Sequence, residues 1–208
     1  MASVVLPIFP LPDITFFPHT LLPLHLFEAR YRAMALDALA RDRRLAIVQL
    51  QPGYEASYAG RPAVHAVAGA GEIVGSERLA NGRYNIVVRG DFRVRIAAEI
   101  PSDTLYRVVR AERLEDVAPP GDVSALLARI RNACRRLLKA LDRPDDLLDA
   151  ALAEGQLPGV VADRVAGAVL PGAAVRQELL ETLDVDRRLE RLAVALDELV
   201  AELRGERE

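Results

Sequence analysis

Apolar positions along this chain change their spacing three times, and each change predicts a different kind of structure. From Leu6 to Tyr31 (LPIFPLPDITFFPHTLLPLHLFEARY) they are dense, yet Pro7, Pro10, Pro12, Pro18 and Pro23 interrupt them every few residues. Each proline fixes φ and removes a backbone donor, which rules out a continuous helix. The residue before each proline is pushed towards extended geometry. Short extended pieces joined by rigid corners are expected, ordered cheaply because proline also restricts the unfolded chain. From Phe27 to Arg41 proline and glycine disappear. Phe27, Tyr31, Met34 and Ala38 share one helical face, and Glu28 and Arg32 are spaced for an i,i+4 pair.

The second regime alternates. Leu45 to Gln51 reads as a short strand, and residues 52–62 (PGYEASYAGRP) as a loop with Tyr54 and Tyr58 at its edge. Ala63 to Leu79 carries small and β-branched residues with glycines at 69, 71 and 75, the mark of one or two strands with bulges. Asn81-Gly82 predicts a type I′ hairpin turn, since both residues tolerate positive φ. On the returning strand Tyr84, Ile86 and Val88 share one face and Asn85, Val87 and Arg89 the other. After Gly90-Asp91 the alternation resumes, with Phe92, Val94 and Ile96 inward and Arg93 and Arg95 outward. Thr104 to Glu112 is a further strand. Residues 1–116 thus predict a mostly antiparallel sheet, closed or strongly curled, with one helix.

The third regime is helical. Ala118-Pro119-Pro120-Gly121 marks a boundary, giving domains 1–117 and 118–208. Asp122 can cap a helix to about Leu141 with Leu126, Leu127, Ile130, Cys134, Leu137, Leu138 and Leu141 on its apolar face. Pro144 ends it and a short helix runs through Glu154. Pro158 suits a first helical position ahead of Val160 to Leu170. Pro171-Gly172 precedes a helix from Ala173 to Leu183. The last helix spans about Asp186 to Leu203, with a stripe of Leu189, Leu192, Leu196, Leu199 and Leu203. The stripe is expected to pack within the bundle; shared between chains, it would give a weak homodimer rather than a monomer.

Composition narrows the function classes. Net charge is −3 over 208 residues. Residues 1–117 hold 14 basic and 13 acidic side chains (+1), and the remainder 13 and 17 (−4). Neither part has the basic excess that nucleic-acid binding leaves, so nucleic acid is not an expected partner. Cys134 is the single cysteine, so no intrachain disulfide can form, and His19, His25 and His65 lack metal-ligand spacing. No metal and no cofactor is expected. The N-terminal apolar run is broken by prolines and Asp13, a poor signal peptide, and no run of about 18 apolar residues would span a membrane. A cytoplasmic protein is the expectation.

The opening segment LPIFPLPDITFFPHTLLPLHLFEARYRAM resembles the signature of the Lon protease N-terminal (substrate-binding) domain. RYNIVVRGDFRVRI (83–96) resembles that family's glycine-broken hairpin strand, and ADRVAGAVLPGAAVRQELLETLDVDRRLERLAVAL (162–196) the helical tail that follows it. The resemblance implies a PUA-like antiparallel β-barrel with one helix, followed by an all-α bundle, an α+β arrangement. It also implies a non-catalytic module that binds unfolded or degron-bearing polypeptide, or works with a protease partner, in stand-alone form. A full Lon protease would need G-x-x-x-x-G-K-[ST] and a Ser–Lys dyad. The only lysine, Lys139, lies in a leucine-rich segment with no glycine nearby, so neither the motor nor an enzyme activity is expected.

Candidate contacts follow from residue type. Phe16 and Phe17 are adjacent in an extended stretch, so one is expected outside the core, where it would offer a rigid apolar contact; the alternative is that the next loop buries both. Tyr54 and Tyr58 are the second candidates. Arg89, Arg93 and Arg95 form a basic stripe, either a solvated face or a contact for acidic peptide or RNA phosphate. Pro10, Pro18, Pro23, Phe27, Glu28, Arg30 and Tyr31 match the family motif and are expected to set local structure, as a Glu–Arg pair would. His25 is expected as a hydrogen-bonded residue at a helix start. Two other function classes stay open: a PUA-like RNA-binding module, and an enzyme with an unrecognised pocket.

Overall fold

A computed structural model describes residues 3–58 and 60–205. The chain divides into two compact units after Glu115, two residues ahead of the proline-rich boundary. Val117 goes with the second unit because its backbone exchanges hydrogen bonds with Leu183 and Val185.

The first unit runs β1 (Ser3–Leu11), β2 (Leu21–Leu26), α1 (Ala29–Leu39), β3 (Arg44–Gln49), a 3-10 turn (Tyr54–Ser57), β4 (Val67–Arg78), β5 (Tyr84–Ile100) and β6 (Arg107–Leu114). β1 pairs parallel with β3, and every other ladder is antiparallel. The pairings run β1–β3–β4–β5–β6 and return to β1, so five ladders close on themselves, with β2 added to the first half of β5. That closure removes exposed edges from the five strands. In β1 and β3 both faces are covered, which suits their continuous apolar runs. Leu6, Ile8, Ala46, Val48, Ala68, Phe92 and Val94 fill the inside of the ring. Phe9, Leu45, Ile47, Ile73, Ile86 and Val88 pack outside it with Tyr31, Met34, Ala35 and Ala38 of α1.

Three local expectations change. The hairpin between β4 and β5 has a three-residue turn: Gly82 N–H donates to Leu79 O, Leu79 N–H to Arg83 O, and Gly82 adopts φ +76° while Asn81 does not. One left-handed residue instead of two matches a type I turn closed by a glycine bulge rather than type I′. Helix α1 starts at Ala29, not Phe27, since Glu28 is still extended (φ −73°, ψ 139°). Phe27 therefore leaves the helix face and is 60% exposed. β5 is one continuous strand, with Asp91 as an extra residue between the Gly90–Gly71 and Phe92–Ala70 pairs.

The second unit is helical: α2 (Ser124–Ala140), a 3-10 turn (Asp145–Leu148), α3 (Asp149–Leu152), α4 (Pro158–Val169), α5 (Ala173–Glu181) and α6 (Val185–Gly205). The N-cap position of α2 falls to Val123 rather than the expected Asp122, which sits one residue earlier and accepts from both the Ser124 N–H and hydroxyl, lowering the pKa of its carboxyl. Ile130, Cys134 and Leu137 of α2 and Leu189, Leu192 and Leu196 of α6 are buried, as is Val165 of α4. α2 and α4 both pack on α6. Leu141, expected on the α2 face, lies past the helix end and is exposed.

Candidate functional site

Strand β2 has the sequence LLPLHL, and its pleat sorts the residues cleanly. Leu22, Leu24 and Leu26 turn towards the sheet interior, whereas Leu21, Pro23 and His25 are exposed. The outward row continues into Phe27. Among the described residues β2 has a ladder on one side only, with β5. A proline inside an apolar strand fits such an edge, because a central strand would miss its N–H. Leu21 and Phe27 are 64% and 60% exposed, and Val74, pushed out at the β4 irregularity between Ile73 and Gly75, is 41% exposed. The His25 ring lies 6.4 Å from the Phe27 ring at 26°, and its Nδ1 is 2.8 Å from Asn85 Oδ1. His25 is thus a strand residue tied across the ladder rather than the start of a helix.

Phe16 and Phe17 are both buried, so neither provides the exposed aromatic expected there. The reason is local. Residues 14–17 are not a strand, and their backbone lies directly on the sheet where side chains are missing. A Cβ at Gly69 would fall 1.9 Å from the Phe16 carbonyl oxygen, and one at Gly90 2.1 Å from that of Phe17. Without pleated geometry the opposite-face rule does not apply, and both rings go inward.

The three arginines do not form a stripe. The extra residue at Asp91 puts Arg89 and Arg93 on opposite faces, since Arg89 pairs with Glu72 and Arg93 with Gly69 across the shift. Arg93 is buried on the side that the Phe16 backbone covers, and so is not the outward residue expected. Arg89 Nε donates to Asp91 at 3.1 Å and Nη2 to Glu72 at 3.0 Å, and these carboxylates raise its pKa further. Arg95 is exposed.

Of the family-motif residues, Phe27, Glu28, Arg30 and Tyr31 lie at the start of α1. Arg30 Nε donates to Glu28 Oε2 at 2.9 Å, replacing the expected Glu28–Arg32 pair; Arg32 instead donates to the Gly82 carbonyl. The Arg30 guanidinium sits 4.6 Å from the centre of the Tyr31 ring and 5.4 Å from that of Tyr58. Tyr58 donates its hydroxyl to Glu28 at 3.3 Å, and its ring is 6.1 Å from Tyr54. Burial pushes the Tyr31 phenol up to about 12, against the pull of Arg30, and burial with the Glu28 carboxylate raises Tyr58. Pro10 and Pro18 are buried and Pro23 exposed. The outward row from Leu21 to Phe27 escaped the sequence reading, although a proline in an alternating apolar strand was the signal for it.

The family model of the ATP-dependent protease La (LON) substrate-binding domain matches residues 5–198. Lon protease 1 of Syntrophobacter fumaroxidans is 31% identical over 198 residues, covering 92% of this chain and 23% of that protein. The Lon protease of Xanthomonas oryzae pv. oryzae is 29% identical over 196 residues, again 92% of this chain and 23% of the relative. The chain therefore spans about a quarter of the length of these relatives. Among solved structures, the N-terminal domain of the Mycobacterium avium complex Lon protease superposes with a TM-score of 0.75 at 20% identity, over 93% of this chain and 98% of the other. The Lon N-terminal domain protein from Xanthomonas campestris gives 0.66 at 21% identity, over 92% and 98%. These likenesses carry the fold, and the match over residues 5–198 carries the family: the chain belongs to the Lon substrate-binding domains.

Proposed function

We propose that this protein is a non-catalytic recognition module that binds unfolded or degron-bearing polypeptide along the outer edge of β2. The observation that carries the reading is the row of Leu21 and Pro23 on a strand that, among the described residues, is paired on one edge only, continued by Phe27 just past its end. An extended peptide can add a strand to such an edge, with main-chain hydrogen bonds for affinity and alternate side chains for selectivity. The outward row then meets every second residue of the peptide. Membership of a substrate-binding family supports a polypeptide as the occupant. Within the same reading, the closed ring of ladders is a PUA-like β-barrel, residues 118–208 are a separate helical domain, and the chain is a monomer or weak homodimer.

The RNA alternative gains nothing from the basic residues. Arg93 is buried and Arg89 is occupied by two carboxylates, leaving Arg95 of the three. Binding should be measured with a reduced and alkylated, permanently unfolded polypeptide and with single-stranded RNA, each at low and high salt. Polypeptide binding that survives salt and weakens in Leu21→Ser and Phe27→Ser is expected. Polypeptide binding that both variants retain would remove β2 from the site. RNA binding that falls steeply with salt, without polypeptide binding, would overturn the reading.

A further inference from the structure

A small cavity of about 80 Å³ opens beside the start of α1, lined by Arg30, Tyr31, Tyr58, Pro62, Leu105 and Arg107 among others. It is well below the roughly 300 Å³ at which pockets for whole small molecules begin, and holds a few waters or one end group. Its lining supplies donors in excess. Arg107 gives Nη1 to the Pro62 carbonyl at 2.8 Å and Nη2 to Glu99, yet its buried Nε has no partner. The Tyr31 hydroxyl makes no hydrogen bond among the described residues.

The charges point the same way. Arg30, Arg61 and Arg107 all line the cavity, and the carboxylates that answer them, Glu28 and Glu99, do not. Three guanidinium charges against two carboxylates leave one positive charge unanswered. A buried N–H without an acceptor costs free energy that a ligand oxygen would recover. A carboxylate oxygen is a strong acceptor for the open guanidinium Nε–H, and a single negative charge matches the local excess.

We infer that this cavity seats one carboxylate of a bound polypeptide, held by Arg107 and the Tyr31 hydroxyl with Arg30 alongside. The source of the carboxylate rests on the polypeptide-binding reading above; the cavity itself does not. Leu105, 68% exposed at the rim, would pack against an apolar neighbour of that carboxylate. The carboxylate comes either from a chain terminus or from an Asp or Glu side chain.

The test has two arms. In the first, propionate is titrated into ¹⁵N-labelled full-length protein while the Arg107 Nε–H resonance is followed by NMR, in wild type and in Tyr31→Phe. A saturable shift, weakened in the variant, is expected; no shift overturns the inference whatever the peptides do. In the second, three labelled apolar peptides are compared by fluorescence anisotropy: free acid, terminal amide, and terminal amide with one internal Glu. The free acid, the Glu peptide or both should bind about tenfold more tightly than the plain amide, as a charge-assisted hydrogen bond allows. Tyr31→Phe should remove that preference. The preferred peptide names the source. Equal binding of all three would overturn the carboxylate site while leaving polypeptide recognition standing. A propionate shift with no peptide binding would keep the cavity as a carboxylate site and overturn the polypeptide source.

Discussion

Arg188 on α6 and Asp116, 72 residues apart, form an ion pair whose cation is wholly buried. Arg188 Nη1 donates to Asp116 Oδ1 at 2.9 Å and to the Thr182 carbonyl at 2.8 Å, and Nη2 to Asp116 Oδ2. Asp163, also fully buried, lies 3.5 Å from Arg188 Nε. Removing one member of such a group leaves an uncompensated charge in low dielectric, which costs about 3–5 kcal/mol. Arg188→Met is therefore expected to lower stability by about that amount in urea unfolding. The double variant Arg188→Met/Asp163→Leu should recover part of the loss, because it also removes the buried carboxylate that faced Arg188 Nε. Equal stability of Arg188→Met and wild type would mean that the pair is bookended by water in solution and contributes nothing.

The helical half was legible because its signal is local. The Leu189, Leu192 and Leu196 stripe, Pro158 at the first position of α4 and Asp122 ahead of α2 each act within one or two turns. Asn81-Gly82 announced a hairpin for the same reason, though the turn type depended on which carbonyl Gly82 N–H met. Arg93 was not legible. Its burial depends on the Phe16 backbone resting on Gly69, a contact between segments more than fifty residues apart. Phe27 was misplaced by two residues of helix start, a small error that turns a core residue into a surface one. The exposed apolar positions are therefore Leu21 and Phe27 rather than Phe16 or Phe17, along a single segment.

That shift makes a prediction in which stability and binding separate. Phe16→Ala and Phe17→Ala remove fully buried rings and should each cost about 3–5 kcal/mol. Leu21→Ser and Phe27→Ser change exposed side chains and should stay within about 0.5 kcal/mol of wild type. Thermal melts of the four variants check the order. A large loss of stability in Phe27→Ser would show that its ring is covered and cannot serve as a contact.

The glycines under the Phe16–Phe17 segment give a sharper test of how it sits. A Cβ at Gly69 or Gly90 would land about 2 Å from a backbone oxygen, which a side-chain rotation cannot relieve. Gly69→Ala and Gly90→Ala should cost at least the roughly 1–3 kcal/mol of ordinary overpacking. Gly121→Ala, where nothing lies within 4 Å, should cost nothing measurable. Similar melting temperatures for all three would mean that residues 14–17 stand off the sheet.

Cys134 is buried in α2, and burial pushes its thiol up to about 12. The thiolate is the reactive form, so both access and ionisation protect it. A maleimide or disulfide reagent at neutral pH should leave the native protein unmodified and label it stoichiometrically in denaturant. The labelling rate then reports opening of the helical unit. Fast labelling of the native protein would place Cys134 at the surface.

Alkaline titration probes the first unit through its tyrosines. Tyr31 and Tyr106 are both pushed up to about 12, Tyr31 by burial and Tyr106 by burial together with the hydrogen bond its hydroxyl donates to Asp37 at 2.6 Å. An unfolded tyrosine ionises near 10. A folded pKa above the unfolded one means that the native state holds its proton longer. Stability from these two groups is accordingly complete below pH 10 and is lost as pH rises from about 10 to 12. Phenolate absorbance of the native protein should include a late component from Tyr31 and Tyr106, in step with loss of structure followed by circular dichroism. Tyr106→Phe should remove one late phenol, and with it the hydroxyl bond to Asp37 that links β6 to α1. If all five tyrosines ionised together near pH 10 in a protein that remained folded, the burial of Tyr31 and Tyr106 would be wrong, and the wall they give to the cavity beside Arg107 would go with it.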